Sequence, residues 1–389
     1  MKIIFYCQYV WGMGHLFRSI ELARALCDHH VTLIAGGQQV DFDLPDHVTL
    51  LRLPTLFMDE KFTRLIPGNR GKSAAQIQGE RKKILFSVLE QQQPDLFMVE
   101  LYPFGRTIFG YELDPLLTAI RQGRFGPVAT ICSLRDILVE KKDPVAFEQR
   151  ALDKLNQFFD VLLVHSDPEL VRLEETFSRV TEIEIPIYYT GFVTQHSDPN
   201  AGAILRQELV LAPDQKLIIA SAGGGRSGYN LLNSVLKTFQ LLGESPQLRL
   251  EVFTGPFMAA DEFKKLRELY GPGIRIRSFT NRFLDYLHAA DLSISLAGYN
   301  TCMNLLVTGV PALIYPYYRQ REQPMRLEKL KKFLRMRILR NDDLKPAALS
   351  RHIEHMLRES PSIEPARLNL NGAQNAARYL NEWMKKATT

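Results

Sequence analysis

A chain of 389 residues, 46% of them hydrophobic and 23% charged, has the composition of a folded globular protein, and its length suits two domains with separate cores. The net charge of +5 and pI near 8.9 are a mild basic excess. They argue against a nucleic-acid binder built on clustered Lys and Arg, while suiting phosphorylated ligands or an anionic membrane surface. Cys7, Cys27, Cys132 and Cys302 lie far apart, with no CxxC pair and no His at zinc spacing. They read as reduced thiols in a cytoplasmic protein. No apolar run approaches the ~18 residues of a membrane span, so only peripheral contact with the inner membrane surface is open to it.

The chain opens on KIIFYCQ, a strand whose loop leads into the helical pattern FRSIELARALCD. Further apolar runs follow in HVTLIAG, HVTLLRLP, DLFMVEL, PVATICSL and VLLVHS, with AAQIQGERKKILFSVLEQQQ among the helical patterns between them. Runs this apolar predict strands buried on both faces of a parallel sheet, connected as right-handed βαβ units. A second series begins after the loop-like GFVTQHSDPNAG: KLIIASAGGG, LRLEVFTG, IRIRSFT, DLSISLAG and PALIYPY. The expected architecture is α/β, with two Rossmann-like domains whose parallel sheets face each other across a cleft. Its divisions are residues 1–194 and 195–370, one for each sheet, and 371–389 for a terminal amphipathic helix.

Ligands of such sheets bind at the carboxyl ends of the strands, and chemistry-bearing residues fall there. The first loop, Gly12-Met13-Gly14-His15, lets the backbone turn tightly onto a ligand and places a His at a helix start. That His can take a proton from an acceptor hydroxyl, or serve only as a cap or packing group. In the second domain, Ser221-Ala222-Gly223-Gly224-Gly225-Arg226-Ser227-Gly228 suits an anion nest with Arg226 adding a charge, or a plain tight turn. The most informative segment, 291–323, holds a buried strand, the turn Ala297-Gly298-Tyr299-Asn300-Thr301, a helix, a strand and then Glu322-Gln323. Its turn and helix start can bind a diphosphate, and the adjacent carboxylate and amide suit a polyol.

These residues resemble the donor-binding region of GT-B glycosyltransferases of family 28, to which the lipid-II-forming N-acetylglucosaminyltransferase of peptidoglycan synthesis belongs. The stretches Glu100–Arg106, Ser133-Leu134-Arg135-Asp136 and His165-Ser166-Asp167-Pro168 resemble a narrower group of predicted bacterial glycosyltransferases. The resemblance implies an inverting transfer from a UDP-sugar, as substrate, to a sugar-containing or lipid-linked acceptor, with no cofactor and no metal bound by the protein. It implies that Gly298, Tyr299, Asn300 and Thr301 hold the diphosphate, helped by Gly223, Gly224, Gly225, Arg226 and Ser227. Glu322 and Gln323 would bind the donor sugar, Phe279 would lie near the uracil, and Gly14 and His15 match the loop where the acceptor is deprotonated. Where the family places a Glu that grips both ribose hydroxyls, this chain has Asn304, which lacks a charged double acceptor.

Glu100 and Asp136 follow first-domain strands; either can replace His15 as base, orient it, or pair with Arg106 or Arg135 on the acceptor side. Asp41-Phe42-Asp43 reads as a solvated loop rather than a cation site, and Phe62–Lys72 as a flexible loop. Gly71-Lys72-Ser73 lacks the upstream Gly of a P-loop, and His352 with His355 has no third ligand. Two other functions share the expected plan: a non-hydrolysing sugar-nucleotide epimerase and a non-catalytic nucleotide-sugar sensor. The sequence leaves acceptor, sugar and oligomeric state open.

Overall fold

The computed structural model describes residues 1–9, 13–40, 42–59, 64–69, 71–196, 198, 200–243, 245–318, 321–358 and 368–387. They form two compact units, Met1–Val193 with Leu368–Thr389, and Thr194–Arg367.

The first unit begins with β1 (Lys2–Tyr9), α1 (Gly14–Ala25), β2 (His30–Gly37) and β3 (Val48–Arg52). A short antiparallel pair, β4 (Leu56–Met58) and β5 (Leu65–Pro67), precedes α2 (Ala74–Gln92). So part of the stretch expected as a flexible loop is one arm of a hairpin, with Phe57 opposite Ile66. Next come β6 (Leu96–Glu100), α3 (Gly110–Arg121), β7 (Ala129–Arg135), α4 (Pro144–Phe158), β8 (Val161–His165) and β9 (Ile187–Tyr189). The sheet order is β3-β2-β1-β6-β7-β8-β9, and its neighbours are parallel.

Strand β1 shows why these runs are so apolar. Ile4 and Tyr6 pack into one core, while Ile3, Phe5 and Cys7 pack into another on the opposite face. Alternation therefore yields buried side chains at every position after Lys2, as expected where helices cover both faces.

The second unit runs α5 (Ala201–Glu208), β10 (Lys216–Ser221), α6 (Tyr229–Leu242), β11 (Leu248–Phe253), α7 (Ala260–Arg267) and β12 (Ile274–Arg277). It continues with α8 (Phe283–Ala289), β13 (Leu292–Leu296), α9 (Tyr299–Thr308), β14 (Ala312–Tyr315), α10 (Glu322–Leu330), β15 (Met336–Ile338) and α11 (Pro346–Arg358). Its parallel sheet has the order β12-β11-β10-β13-β14-β15.

The last helix, α12 (Gly372–Ala387), returns to the first unit. The sequence sets it apart as a terminal segment. Instead Ala373, Ala376 and Leu380 join the core that holds Phe5 and Leu16. Tyr379 stacks on Tyr188 at 4.0 Å, and Asn375 Nδ2 donates to the Thr190 carbonyl at 2.8 Å.

Candidate active site

In the first unit the chemistry collects at the carboxyl ends of β1, β6, β7 and β8, which are neighbours in the sheet. His15 is the second residue of α1, and Glu100 is the last residue of β6. His15 Nδ1 lies 2.7 Å from Glu100 Oε1. A carboxylate can only accept, so this contact favours the imidazole proton on Nδ1, over the longer 3.2 Å approach of Arg18 Nη2 to the same nitrogen, and in that tautomer Nε2 keeps its lone pair. Arg18, one turn along α1, also donates to Glu100 Oε1 and is 2% exposed. Glu100 is thus the orienting group, and its ion pair is with Arg18, not with Arg106 or Arg135 as the sequence suggests. Arg18 went unnoticed there, although its i+3 spacing from His15 places both on one helix face.

Burial dominates the titration of His15 and lowers its pKa to about 4, against the pull of Glu100 and with help from Arg106 and Arg18. This lies well below the ordinary imidazole value of about 6.5. Glu100 is held down at about 2: burial raises it, but His15 and Arg18 outweigh that cost. The pair is therefore neutral imidazole beside carboxylate at physiological pH. If His15 is the base, the acid limb of kcat/KM should fall near pH 4, with a level profile across 6.5. A pH–rate series checks this, and an inflection at 6.5 would contradict it.

The loop after β6 carries backbone strain at two non-glycine residues, Leu101 at φ +67° and Arg106 at φ +55°. Such conformations persist where the surroundings enforce them. Arg106 Nε donates to the Gln8 carbonyl at 3.0 Å, which ties this loop to the end of β1. Arg135 Nε donates to the Ile137 carbonyl at 3.1 Å and lies 4.0 Å from Asp136. Asp136 is fully buried, so it is badly placed to receive a substrate proton. His165 links Ser133 at 2.8 Å to Thr190 at 2.9 Å in a buried chain across three strands, and burial lowers its pKa to about 3. Gly14 opens α1; Gly12 lies outside the described residues.

The second unit brings three expected loops side by side. Ser221 pairs in register with Ser295, and Leu296 with Tyr315, so the loops after β10, β13 and β14 share one sheet edge. Gly223, at φ +59°, faces open space, whereas Gly225, at φ +99°, packs where a Cβ would meet the Thr254 carbonyl at 2.6 Å. The first glycine suits a ligand's approach; the third is needed by the fold. Gly224 accepts from the Phe257 N–H at 3.0 Å, and Arg226 lies over the Phe257 ring at 5.6 Å. Arg226, exposed Ser227, Tyr229 and Asn230 line a cavity of about 780 Å³ together with Tyr315, Tyr317 and Tyr318. Those tyrosines are a feature the sequence reading passed over.

Gly298 caps α9, a helix of 10 residues with no side-chain cap, so its first N–H groups suit an anion. Tyr299 is buried beneath Arg326, at 5.5 Å, and Asn300 and Thr301 follow on the first turn. Asn304 is 6% exposed, one turn further on, and its amide has no hydrogen-bond partner among the described residues. Glu322 is buried at the first position of α10. Gln323 Oε1 accepts from the Tyr317 N–H at 2.8 Å and so holds the loop before the helix. Phe279 stands after β12, three strands from β13 along the edge, and neither it nor Gly298, Thr301 or Asn304 lines the cavity.

The weaker candidates resolve structurally. Ser73 caps α2 in a reciprocal box with Gln76, and Lys72 pairs with Glu80 at 2.6 Å. His352 pairs with Asp343 at 2.7 Å. Asp43 is in an exposed loop; Asp41 lies outside the described residues. Among the described residues no group of three or more His, Cys, Asp or Glu can hold a metal ion, and no helix is long and apolar enough to cross a membrane. The four cysteines are free thiols.

Residues 219–380 match the glycosyltransferase family 28 C-terminal domain. The family 28 likeness thus lies in the second unit and the start of the last helix, covering less than half of the chain. It is 29% identical over 112 residues to the UDP-N-acetylglucosamine--N-acetylmuramyl-(pentapeptide) pyrophosphoryl-undecaprenol N-acetylglucosamine transferase of Fusobacterium nucleatum, a match spanning 29% of this chain and 30% of that protein. Two solved structures share its fold, each at a TM-score of 0.60 over 98% of this chain. The calicheamicin glycosyltransferase CalG4 is 15% identical with 97% of its own chain covered. The UDP-GlcNAc 2-epimerase of Methanocaldococcus jannaschii is 13% identical with 100% covered.

By the resemblance, Asn304 stands where a ribose-binding Glu is expected. Asn304→Glu should tighten UDP binding by about tenfold, since charge-assisted bonds to a diol are worth roughly 1.5–3 kcal/mol. Calorimetric titration with UDP checks this; unchanged or weaker binding would mean that Asn304 serves another donor or another geometry.

Proposed function

We propose that this protein transfers a sugar, with inversion, from a UDP-sugar to an acceptor hydroxyl, using His15 as general base. N-acetylglucosamine or another hexose is the sugar, and the acceptor is sugar-containing or lipid-linked. The observation that carries the reading is the His15–Glu100 bond of 2.7 Å, which leaves a neutral Nε2 at the helix start after β1. In the reaction, His15 Nε2 takes the acceptor proton as the oxygen bonds to the sugar's anomeric carbon. The bond from that carbon to the diphosphate breaks, and UDP leaves with the electron pair. Glu100 stabilises the imidazolium as it forms.

On the donor side, the α9 N-terminus and the open Gly223 turn suit the diphosphate, with Arg226 nearby. Glu322 suits the sugar hydroxyls, Gln323 steadies that loop, Asn304 suits the ribose and Phe279 the base. Arg106 and Arg135 fit the acceptor side. The epimerase fold likeness keeps that alternative in view, but the family 28 match favours transfer.

Helix N-termini stabilise the leaving diphosphate without a cation in this reading. Turnover of UDP-N-acetylglucosamine should therefore survive EDTA. Loss of activity on chelation, restored by manganese or magnesium, would refute that part.

A further inference from the structure

Three groups converge on one carboxylate oxygen. Glu100 Oε1 accepts from His15 Nδ1 at 2.7 Å and from Arg18 Nη2, and Arg18 Nη2 lies 3.2 Å from His15 Nδ1. The other oxygen, Oε2, is buried and has no hydrogen-bond partner among the described residues. The contacts that set the angle of this carboxylate therefore pass through Oε1. His15 and Arg18 reach it from one face of α1, three residues apart. Neither the family resemblance nor the proposed reaction uses Arg18.

Glu100 is buried, and burial by itself favours a neutral carboxylic acid. His15 titrates at about 4, so near neutral pH it carries no charge. It can donate a hydrogen bond to the carboxylate but cannot balance its charge. Arg18 can, because a guanidinium stays protonated throughout the physiological range. Among the described residues, His15 and Arg18 are the groups within ion-pair distance of Glu100. Arg106, from the loop after β6, instead directs Nε to the Gln8 carbonyl at 3.0 Å. Cys7 on β1 feels the same charges, but burial pushes its thiol up to about 12 and it stays neutral. His165 on β8, lowered by burial to about 3, is neutral as well. The standing charges around His15 are thus Glu100, Arg18 and Arg106. A proton on His15 adds a third cation beside Arg18, at the positive end of the α1 dipole.

We propose that Arg18 is the positioning residue of this base: its guanidinium locks the Glu100 carboxylate onto His15 Nδ1 and fixes the charge of the pair. The proposal rests on the reading of His15 as general base. While the imidazole is neutral, Arg18 balances the carboxylate. Once Nε2 takes the acceptor proton, two cations share that carboxylate, and their repulsion sends the proton on to water after the sugar has moved.

The test is NMR of the full chain carrying 13C-labelled histidine, which follows the Cε1–H signal of His15 with no donor and no turnover. The signal is identified by its loss in His15→Ala. In the wild type it should titrate near 4. Arg18→Gln keeps an amide donor for Oε1 but removes the charge, so the titration should rise by about 1–3 pH units. Arg18→Lys keeps the charge and should titrate near the wild-type value. Arg18→Gln/Glu100→Gln should return to a low value, because the carboxylate that holds the proton in the single variant is gone. An unmoved titration in Arg18→Gln, an equal rise in Arg18→Lys, or a rise that persists in the double variant would each overturn the proposal. The lysine variant keeps it testable should the glutamine variant unfold, since a rise there is enough to overturn it. In Arg18→Gln the acid limb of kcat/KM should move with the titration. A titration that moves while the limb stays would refute His15 as the base, whereas an unmoved titration would refute the role of Arg18 and leave that reading standing.

Discussion

His15→Ala should lower turnover by about 10²–10⁴-fold while leaving the affinity for UDP nearly unchanged. His15 belongs to the first unit and contacts Glu100 and Arg18, whereas the loops assigned to the donor belong to the second. In the proposed reaction, removing the imidazole deletes the proton acceptor and leaves the loops of the second unit unchanged. Glu100→Gln probes the same step more gently. An amide can present its NH2 to Nδ1, which favours the tautomer with the proton on Nε2, so turnover should fall although the fold is kept. Steady-state rates with UDP titrations separate the two effects. Near-normal turnover in His15→Ala would remove His15 as the base and promote Glu100 or Asp136. A loss explained wholly by weaker UDP binding would make His15 a donor or structural residue.

The largest effect on stability should come from a pair that takes no part in the chemistry. Arg81→Met should lower the unfolding free energy by about 3–5 kcal/mol, because it strands a buried carboxylate. Arg81 and Glu112 are both fully buried, joined by Arg81 Nη2 at 2.6 Å and Nε at 2.9 Å to the two carboxylate oxygens. Arg81 also donates to the Pro54 carbonyl at 3.0 Å and the Tyr111 hydroxyl at 3.2 Å, and Tyr6 donates to Glu112. The double variant Arg81→Met/Glu112→Leu should recover much of the loss, since two apolar side chains need no partners. Chemical denaturation of both variants checks this. A cost below about 1 kcal/mol for the single change would mean that the carboxylate finds other donors or water.

What the sequence reveals depends on whether a signal is local. Long apolar runs between helical patterns gave the two parallel sheets, because strands covered on both faces have no polar positions to obscure them. Three-residue strands such as β9 and β15 have too little period to read. The terminal helix shows amphipathicity but not its partner. Only the fold reveals that Tyr379 lies on Tyr188. At the site, Gly14, His15, the Gly-rich turn and the Gly298 turn are legible because strand–turn–helix junctions carry their own glycines. The pairing of Glu100 with His15 and Arg18 joins residues 85 and 82 positions apart, so sequence spacing cannot specify it. Nor can sequence show the burial that takes His15 down to about 4.

The most direct test of sugar transfer is incubation with UDP-N-acetylglucosamine, without acceptor, followed by chromatographic separation of nucleotides and sugars. A transferase of this type releases UDP slowly by handing the sugar to water, and that release should fall in His15→Ala. Conversion to an isomeric UDP-sugar with no free UDP would instead identify an epimerase, and tight binding with no product at all would identify a sensor; either result contradicts the account.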